Sequence, residues 1–371
     1  MRLGVDGREL VAGTRTGIGR YVREVVGAAA ARGGPVTVYG DAATEVADPP
    51  AGVRLRRLAA PGTRWWDQVV LPRALARDGV EVFLSPYYKG PVAAPCPVVL
   101  TVHDLYFIGY GGRRRPLRDA VLTAAARLYA RRARAIVTDS EYSRRAVIAR
   151  LRVPAAKVTA IGVAVGAEFV PSPLADAARA RYGLPGPYVL YVGNFMPHKN
   201  VEGLLRAWAA LPAPLRAGHR LALAGGDAAR RPRLEALARS LGVAASVAFP
   251  GRVEDGDLPG LYTACAAFVL PSLDEGFGLP AVEAMACGAP VIVADRGALP
   301  EVAGPGAVVV DVGAEGALAA ALARVLREPE HRELLRRRGR ARAADFAPAR
   351  TAGRVVDLLE AVAGATVGAS R

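Results

Sequence analysis

Residues 272–295 read SLDEGFGLPAVEAMACGAPVIVAD, from Ser272 to Asp295. Gly276 and Gly278 lie in a loop just before Pro280, which suits the start of a helix because its missing N–H would have no intrahelical partner. Gly288 is a helix stop, so the spacing predicts a helix from about Pro280 to Cys287 with Glu283 in its first turn. Val291 to Ala294 is then a short, continuous apolar run, as a buried parallel strand should be. Loop, helix, stop and buried strand together form one unit of an α/β protein.

The same alternation extends in both directions. Upstream lie the strand-like YVLYVGN, RLALAGG, SVAFPG and AAFVLPS, separated by helical stretches from about Asn200 to Ala210 and Pro232 to Leu241. Further upstream the pattern breaks over residues 161–187, where Pro171, Pro173, Pro185 and Pro187 interrupt it, and this is the expected domain boundary. Before the break, RLGVDG, PVTVYG, VRLRRL, VEVFLS, PVVLTVHD and AIVTDS are strand candidates, with helices from about Tyr21 to Arg32 and Ala120 to Arg134. The expected fold class is α/β, with two Rossmann-like doubly wound parallel-sheet domains facing a cleft. Domain limits follow at 1–166 and 167–345, with a last apolar-periodic segment over 346–371.

Length agrees, because 371 residues exceed one ordinary hydrophobic core. With 52% hydrophobic and 22% charged residues the chain is a folded globular protein rather than a disordered one. A formal charge of +15 implies an anionic partner. Aromatic residues are only 6%, no Arg/aromatic alternation makes a base-stacking platform, and no nucleic-acid-reading motif occurs, so no nucleic-acid partner is expected. MRLGVDGREL enters a strand pattern without an apolar signal core, and a cytoplasmic location is expected. Cys96, Cys265 and Cys287 lack metal-ligand spacing and read as small buried residues.

Rare residues are informative in a chain that carries 49 Lys and Arg, of which only Lys89, Lys157 and Lys199 are Lys. GNFMPHKN, Gly193 to Asn200, holds Lys199 and both Asn of the whole sequence. Lys199 follows a strand and precedes a helix, where its charge adds to that of the helix dipole, and Asn200 suits the helix start as a cap. In VAGTRTGIGRYV, Gly17 and Gly19 open a helix after the first strand, where backbone amides can hold an anion. Asp41 lies at a distance suited to a dinucleotide site, yet the third glycine of that motif is replaced by Val22. Anion contact and a plain structural turn both stay open. Glu275 and Glu283, eight apart around the Gly-x-Gly loop, pair carboxylate acceptors for sugar hydroxyls with exposed N–H donors for phosphate.

These residues resemble the retaining glycosyltransferases of family 4, of GT-B fold, whose donor site carries a Glu-x7-Glu motif. GIGRYVREV, TVHDL, DSEYSRRAV, YVGNFMPHKN, PGRVEDGDLPGLYTAC and GALPEVAG are similar to family segments in the family order. The resemblance implies transfer of a hexose, best read as mannose, from GDP-mannose or a UDP-sugar to a hydroxyl of a glycan, lipid-linked or natural-product acceptor. No cofactor and no metal are implied. Glu283 would accept from the ribose hydroxyls. Glu275 would face the transferred sugar, with Gly276, Phe277, Gly278 and Leu279 giving backbone contacts. Lys199 would bind the leaving diphosphate and Gly17 would approach it from the other domain. His103, with Arg20 and Asp104, would lie on the acceptor side, where His103 alone would otherwise read as a satisfied structural residue. Many relatives have Arg where Asn194 stands; Asn194 could donate through its amide but brings no charge, and Arg252 is the other candidate for this contact. The segment 346–371 would pack back on the first domain.

Eight Arg and one acidic residue between Arg113 and Arg134 read either as a solvated basic helix or as a surface for anionic membrane. Trp65 and Trp66 read as core packing or as a platform for an acceptor sugar. The basic tail HRELLRRRGRARAADF reads as a charged helix face. Two alternatives to transfer are a nucleotide-sugar 2-epimerase of the same fold and a non-catalytic sugar-nucleotide-binding protein.

Overall fold

The computed structural model describes residues 1–11, 16–106, 108, 116–226 and 229–368. Residues 12–15 of the first loop, and Arg113, Arg114 and Arg115 of the basic run, lie outside the described residues. The chain divides into two compact units, one of residues 1–166 with the C-terminal helix Pro348–Gly368, the other Ala167–Ala347.

Unit 1 is built on a seven-stranded sheet in the order β3-β2-β1-β4-β5-β6-β7. Its strands are β1 (Leu3–Asp6), β2 (Val36–Gly40), β3 (Val53–Arg57), β4 (Val82–Ser85), β5 (Val98–Val102), β6 (Ala135–Thr138) and β7 (Val158–Ala160). All these pairings are parallel. β1, β2, β4, β5 and β6 are buried at every position, because helices cover both faces. The helix Gly17–Ala31 starts four residues earlier than its apolar pattern predicts, because Thr16 caps it by accepting from the Gly19 N–H at 2.9 Å. Pro348–Gly368 packs on it, and Arg32 joins the two through Asp357 at 2.7 Å and Glu360 at 2.9 Å.

Unit 2 holds six parallel strands in the order β10-β9-β8-β11-β12-β13. They are β8 (Tyr188–Gly193), β9 (Arg220–Gly225), β10 (Val247–Gly251), β11 (Ala267–Leu270), β12 (Val291–Ala294) and β13 (Ala307–Val310). Chain order reverses between β8 and β11, and such a switch point leaves a crevice at the carboxyl ends of the two strands. The tail helix Pro329–Ala343 is more than a charged face. Arg332 donates to the carbonyls of Val325 and Leu326, and Arg342 to those of Val302 and Glu301, so both satisfy carbonyls in the last turns of neighbouring helices.

Cys265 and Cys287 are buried and burial raises both thiols, Cys265 to about 12, which makes them inert. Cys96 is only half-buried, and its thiol is raised to about 12 by the same desolvation.

Candidate functional site

In unit 2 the loops after β8 and β11 carry GNFMPHKN and SLDEGFG, and the switch point places them side by side. Three hydrogen bonds tie them together. The Leu273 N–H donates to the His198 carbonyl at 2.7 Å, the Asn200 amide to the Pro271 carbonyl at 3.1 Å, and Lys199 Nζ to Glu275 Oε1 at 2.6 Å.

Asn200 therefore does something other than cap. Its φ of 55° is left-handed, where Asn is tolerated better than most residues, and its side chain crosses to the neighbouring loop without bonding to the helix Val201–Ala209. Asn194 is exposed, and its Oδ1 accepts from the Met196 N–H at 3.2 Å, a local turn contact. Arg252, exposed after β10, is separated from β8 by the whole of β9.

Lys199 and Glu275 form a largely buried pair, with side chains 18% and 9% exposed. Glu275 Oε1 also accepts from Ser272 Oγ at 2.7 Å. An ammonium has three donors, so Lys199 keeps capacity for a second acceptor. His198 adds no competing charge, because burial and the Lys199 charge hold its pKa below the usual value. The Glu275 backbone is clamped as well. Gly297, at φ +62°, lies so close that a Cβ there would come within 2.6 Å of the Glu275 N and O atoms.

The helix predicted from Pro280 begins at Leu279, after Gly278 at φ +90°. Glu283 is consequently in its second turn, a correction to the first-turn reading, and the helix-dipole account of this Glu weakens with distance. Glu283 is buried, and the Tyr262 hydroxyl donates to its Oε2 at 3.1 Å. The Phe277 ring faces the interior, edge-on to Phe346 at 5.3 Å, while Gly276 and Leu279 are half-buried.

In unit 1 the polar groups come from the carboxyl ends of neighbouring strands. Val102 of β5 pairs with Thr138 of β6, so the next residues, His103 and Asp139, meet, with His103 Nδ1 2.8 Å from Asp139 Oδ2. Tyr21 packs edge-on against the imidazole at 5.0 Å. Burial alone would push the His103 pKa down, but the charge and hydrogen bond of Asp139, helped by Asp104 and Glu9, raise it above the usual value. His103 Nε2 is buried and has no hydrogen-bond partner among the described residues. Held this way by Asp139, the ring can offer Nε2 to an oxygen, as a donor when protonated.

Asp104 is exposed and accepts from the Tyr106 N–H at 3.0 Å. Gly17 is exposed at the start of its helix with open space around it, and Arg20 is half-buried one turn further on. The two tryptophans separate. Trp66 is buried beneath the Arg8 guanidinium, 3.8 Å from its ring centre, whereas Trp65 is 54% exposed.

Sequence reasoning gave Asp139, Ser272, Tyr262 and Gly297 no role. Asp139 had a usable signal, since it is the first residue after the strand adjacent to the one carrying His103. The other three needed the packed structure.

Two parallel doubly wound units, one with a cation and two carboxylates at its switch point, define a two-unit α/β class. Within that class the chain belongs to glycosyltransferase family 4. The model for "Glyco_transf_4: Glycosyltransferase Family 4" matches residues 15–168 and that for "Glycosyl transferases group 1" matches 176–342. O-antigen chain mannosyltransferase B of Escherichia coli is 35% identical over 217 residues, which is 58% of this chain and 57% of that relative. The matched segment thus spans little more than half of either protein. Sucrose-phosphate synthase from Thermosynechococcus elongatus superposes with a TM-score of 0.81 at 25% identity, covering 98% of this chain and 99% of that one. HepE of Anabaena, solved with UDP and glucose, gives 0.76 at 19% identity over 97% and 99%. These neighbours carry the GT-B fold.

Proposed function

We propose that the chain transfers a hexose, best read as mannose, from a nucleoside diphosphate sugar to an acceptor hydroxyl of a glycan, lipid-linked or natural-product acceptor, with retention at the anomeric carbon and without a metal ion. The observation that carries this reading is the Lys199–Glu275 pair at the β8/β11 switch point, with Glu283 buried eight residues on. Departure of a nucleoside diphosphate adds negative charge, and a cation placed beforehand stabilises that transition state more than the ground state. In this reading Lys199 neutralises the diphosphate, with Gly17 approaching it and Asn194 and Arg252 adding polar contacts. Glu275 and the backbone of Gly276 to Leu279 hold the sugar, and Glu283 takes the ribose hydroxyls. His103, with Arg20 and Asp104, faces the acceptor. Retention is read as front-face displacement, with the leaving phosphate taking the acceptor proton rather than Glu275 forming a covalent bond.

The test is release of nucleoside diphosphate from GDP-mannose and a panel of UDP-sugars, with and without acceptors. Turnover without acceptor to a 2-epimeric sugar would move the reading to the epimerase. Binding without turnover would leave a sugar-nucleotide-binding protein. Unimpaired transfer by Glu283→Ala would remove the site assignment.

A peripheral position on anionic membrane is also proposed. The helix Pro116–Arg132 exposes Leu117 at 80%, Val121 at 58% and Leu128 at 45%. Their spacing of four and seven puts them on one face, with exposed Arg118, Arg131 and Arg132 nearby, a pairing of apolar and basic groups suited to a headgroup layer. Among the described residues no helix is long and apolar enough to cross a membrane. Co-sedimentation with phosphatidylglycerol vesicles that weakens with salt and in Val121→Asp supports the idea, and no pelleting at low salt removes it.

A further inference from the structure

β1, β4, β5 and β6 are consecutive neighbours in the first sheet, and each delivers one polar side chain just past its carboxyl end. Glu9 follows β1, Tyr87 follows β4, His103 follows β5 and Asp139 follows β6. His103 and Asp139 are already accounted for. Glu9 and Tyr87 have no role in the mechanism, although the Glu9 carboxylate acts on the same imidazole that Asp139 holds.

Glu9 is half-buried and fixed at both oxygens. Its Oε2 accepts from the Thr16 hydroxyl at 2.8 Å and its Oε1 from the Tyr87 hydroxyl at 3.3 Å. A carboxylate offers about four lone-pair sites, so each oxygen retains one acceptor position. Two acceptor positions on one rigid group suit two neighbouring hydroxyls of a sugar.

The charge around it decides what kind of ligand can approach. Arg8 donates to Asp6 Oδ1 at 3.0 Å and to Asp67 Oδ1 at 2.7 Å, and Lys89 donates to Asp67 Oδ2 at 3.0 Å. Two cations are thus matched by two carboxylates that are themselves buried. Stacking on Trp66 further holds the guanidinium in place. Among the described residues Glu9 forms no ion pair, so its carboxylate lacks the direct cation partner that Asp6 and Asp67 have.

We propose that Glu9 and Tyr87 are acceptor-recognition residues that bind hydroxyls of a neutral sugar terminus and, through the unmatched Glu9 charge, reject a terminus bearing phosphate or carboxylate. The proposal rests on the glycosyltransferase reading above and adds the acceptor class. Rejection by an unpaired like charge is a recognised route to specificity, since a difference of affinities can come from the disfavoured ligand.

Methyl α-mannoside and mannose 6-phosphate serve as neutral and anionic acceptor probes for the full chain, with the nucleotide sugar it turns over. Wild type should show a KM for the neutral probe at least ~10-fold below that for the phosphorylated one, and Glu9→Gln should shrink that ratio by about tenfold. Gln retains an oxygen for the Thr16 hydroxyl, so the loop stays closed. Tyr87→Phe should raise the neutral KM a few-fold while keeping the ring. Donor Kd should match wild type in both variants. An unchanged ratio in Glu9→Gln, a wild-type preference for the phosphorylated probe, or saturation by neither probe overturns the proposal. So does an effect confined to donor Kd, which would make Glu9 a loop closure alone. Absence of any nucleotide-sugar binding by wild type, read by calorimetry, would sink the underlying reading instead and the proposal with it.

Discussion

The two sheets place functional groups at the same position, the carboxyl ends of their central strands, but assemble them differently. In unit 2 one contiguous segment supplies Glu275 and Glu283, and one partner loop supplies Lys199 through a 2.6 Å contact. In unit 1, Glu9, Tyr87, His103 and Asp139 come from four separate strand ends. A site drawn from two loops at a switch point is held by short cross-links, and a change at any of them reaches Lys199 and Glu275. A site spread over four strands depends on sheet register, and its members tolerate separate change.

Lys199→Ala is the strongest way to break the comparison. It removes the cation proposed for the leaving group and leaves the Ser272 hydroxyl as the side-chain hydrogen-bond partner of a buried Glu275 among the described residues. A kcat lower by ~10²–10³ is expected, the scale for loss of one preorganised electrostatic contact. Lys199→Arg should recover only part of it, because a planar guanidinium prefers one fork geometry over the movement a compact ammonium allows. Near-wild-type kcat in the Ala variant would place the leaving-group cation elsewhere.

Gly297→Ala tests how tightly the first site is clamped. The added Cβ meets the Glu275 backbone at 2.6 Å at a φ of +62°, so both a clash and a left-handed conformation must be accommodated. A loss of about 2–3 kcal/mol in unfolding free energy is expected, in the range of stored backbone strain. Chemical denaturation gives the number, and an unchanged midpoint would show that the loop can retreat without cost.

The same contrast explains what was legible in sequence. The alternation of short apolar runs and helices gave the α/β class, because buried parallel strands need no polar face. The β8 and β11 loops could be paired in advance through the family resemblance, which puts Lys199, Glu275 and Glu283 in one donor site, and Lys199 also stands out as one of only three Lys in the chain. Glu283 was placed one helical position too early, at the end of the first turn rather than the start of the second, because Leu279, ahead of Pro280, already takes helical geometry after Gly278. Asn200 was read as a cap because Asn before a helix commonly is one, whereas its amide is drawn to the Pro271 carbonyl on a loop seventy-one residues away. Tyr262 acts through its hydrogen bond to Glu283 and Gly297 through its close approach to the Glu275 backbone, contacts between separate elements that no local pattern encodes. Trp65 and Trp66 are chemically identical neighbours, and it is the second that packs into the core of unit 1, with the Arg8 guanidinium over its ring.

Asp139→Asn sharpens the other side. In the wild type the folded His103 pKa lies above the ordinary value, so a charged His103 stabilises the fold. That contribution is fully present below the unfolded pKa of about 6.5 and is lost as pH rises through the raised folded value. Without the Asp139 charge, burial becomes the dominant influence and the folded pKa should drop below 6.5, reversing the sign of the pH dependence. Imidazole NMR titration of both proteins follows this directly. An equal pKa in the two would assign the His103 shift to Asp104 and Glu9.

The smallest effect separates helix capping from chemistry. Thr16 accepts from the Gly19 N–H at 2.9 Å and donates to Glu9 at 2.8 Å, so one hydroxyl both starts the Gly17–Ala31 helix and closes the loop that precedes it. Thr16→Ala removes both bonds and should cost about 1 kcal/mol of stability, as loss of an N-cap does. Thr16→Ser keeps both and should be near neutral. If Gly17 uses this helix start to approach the donor diphosphate, the Ala variant should also weaken nucleoside diphosphate binding, because frayed amides no longer point at the phosphate. Calorimetric titration against Lys199→Ala then gives the ratio of the two contributions. A stability loss with unchanged nucleotide affinity would confine Thr16 to the fold and leave the diphosphate to unit 2.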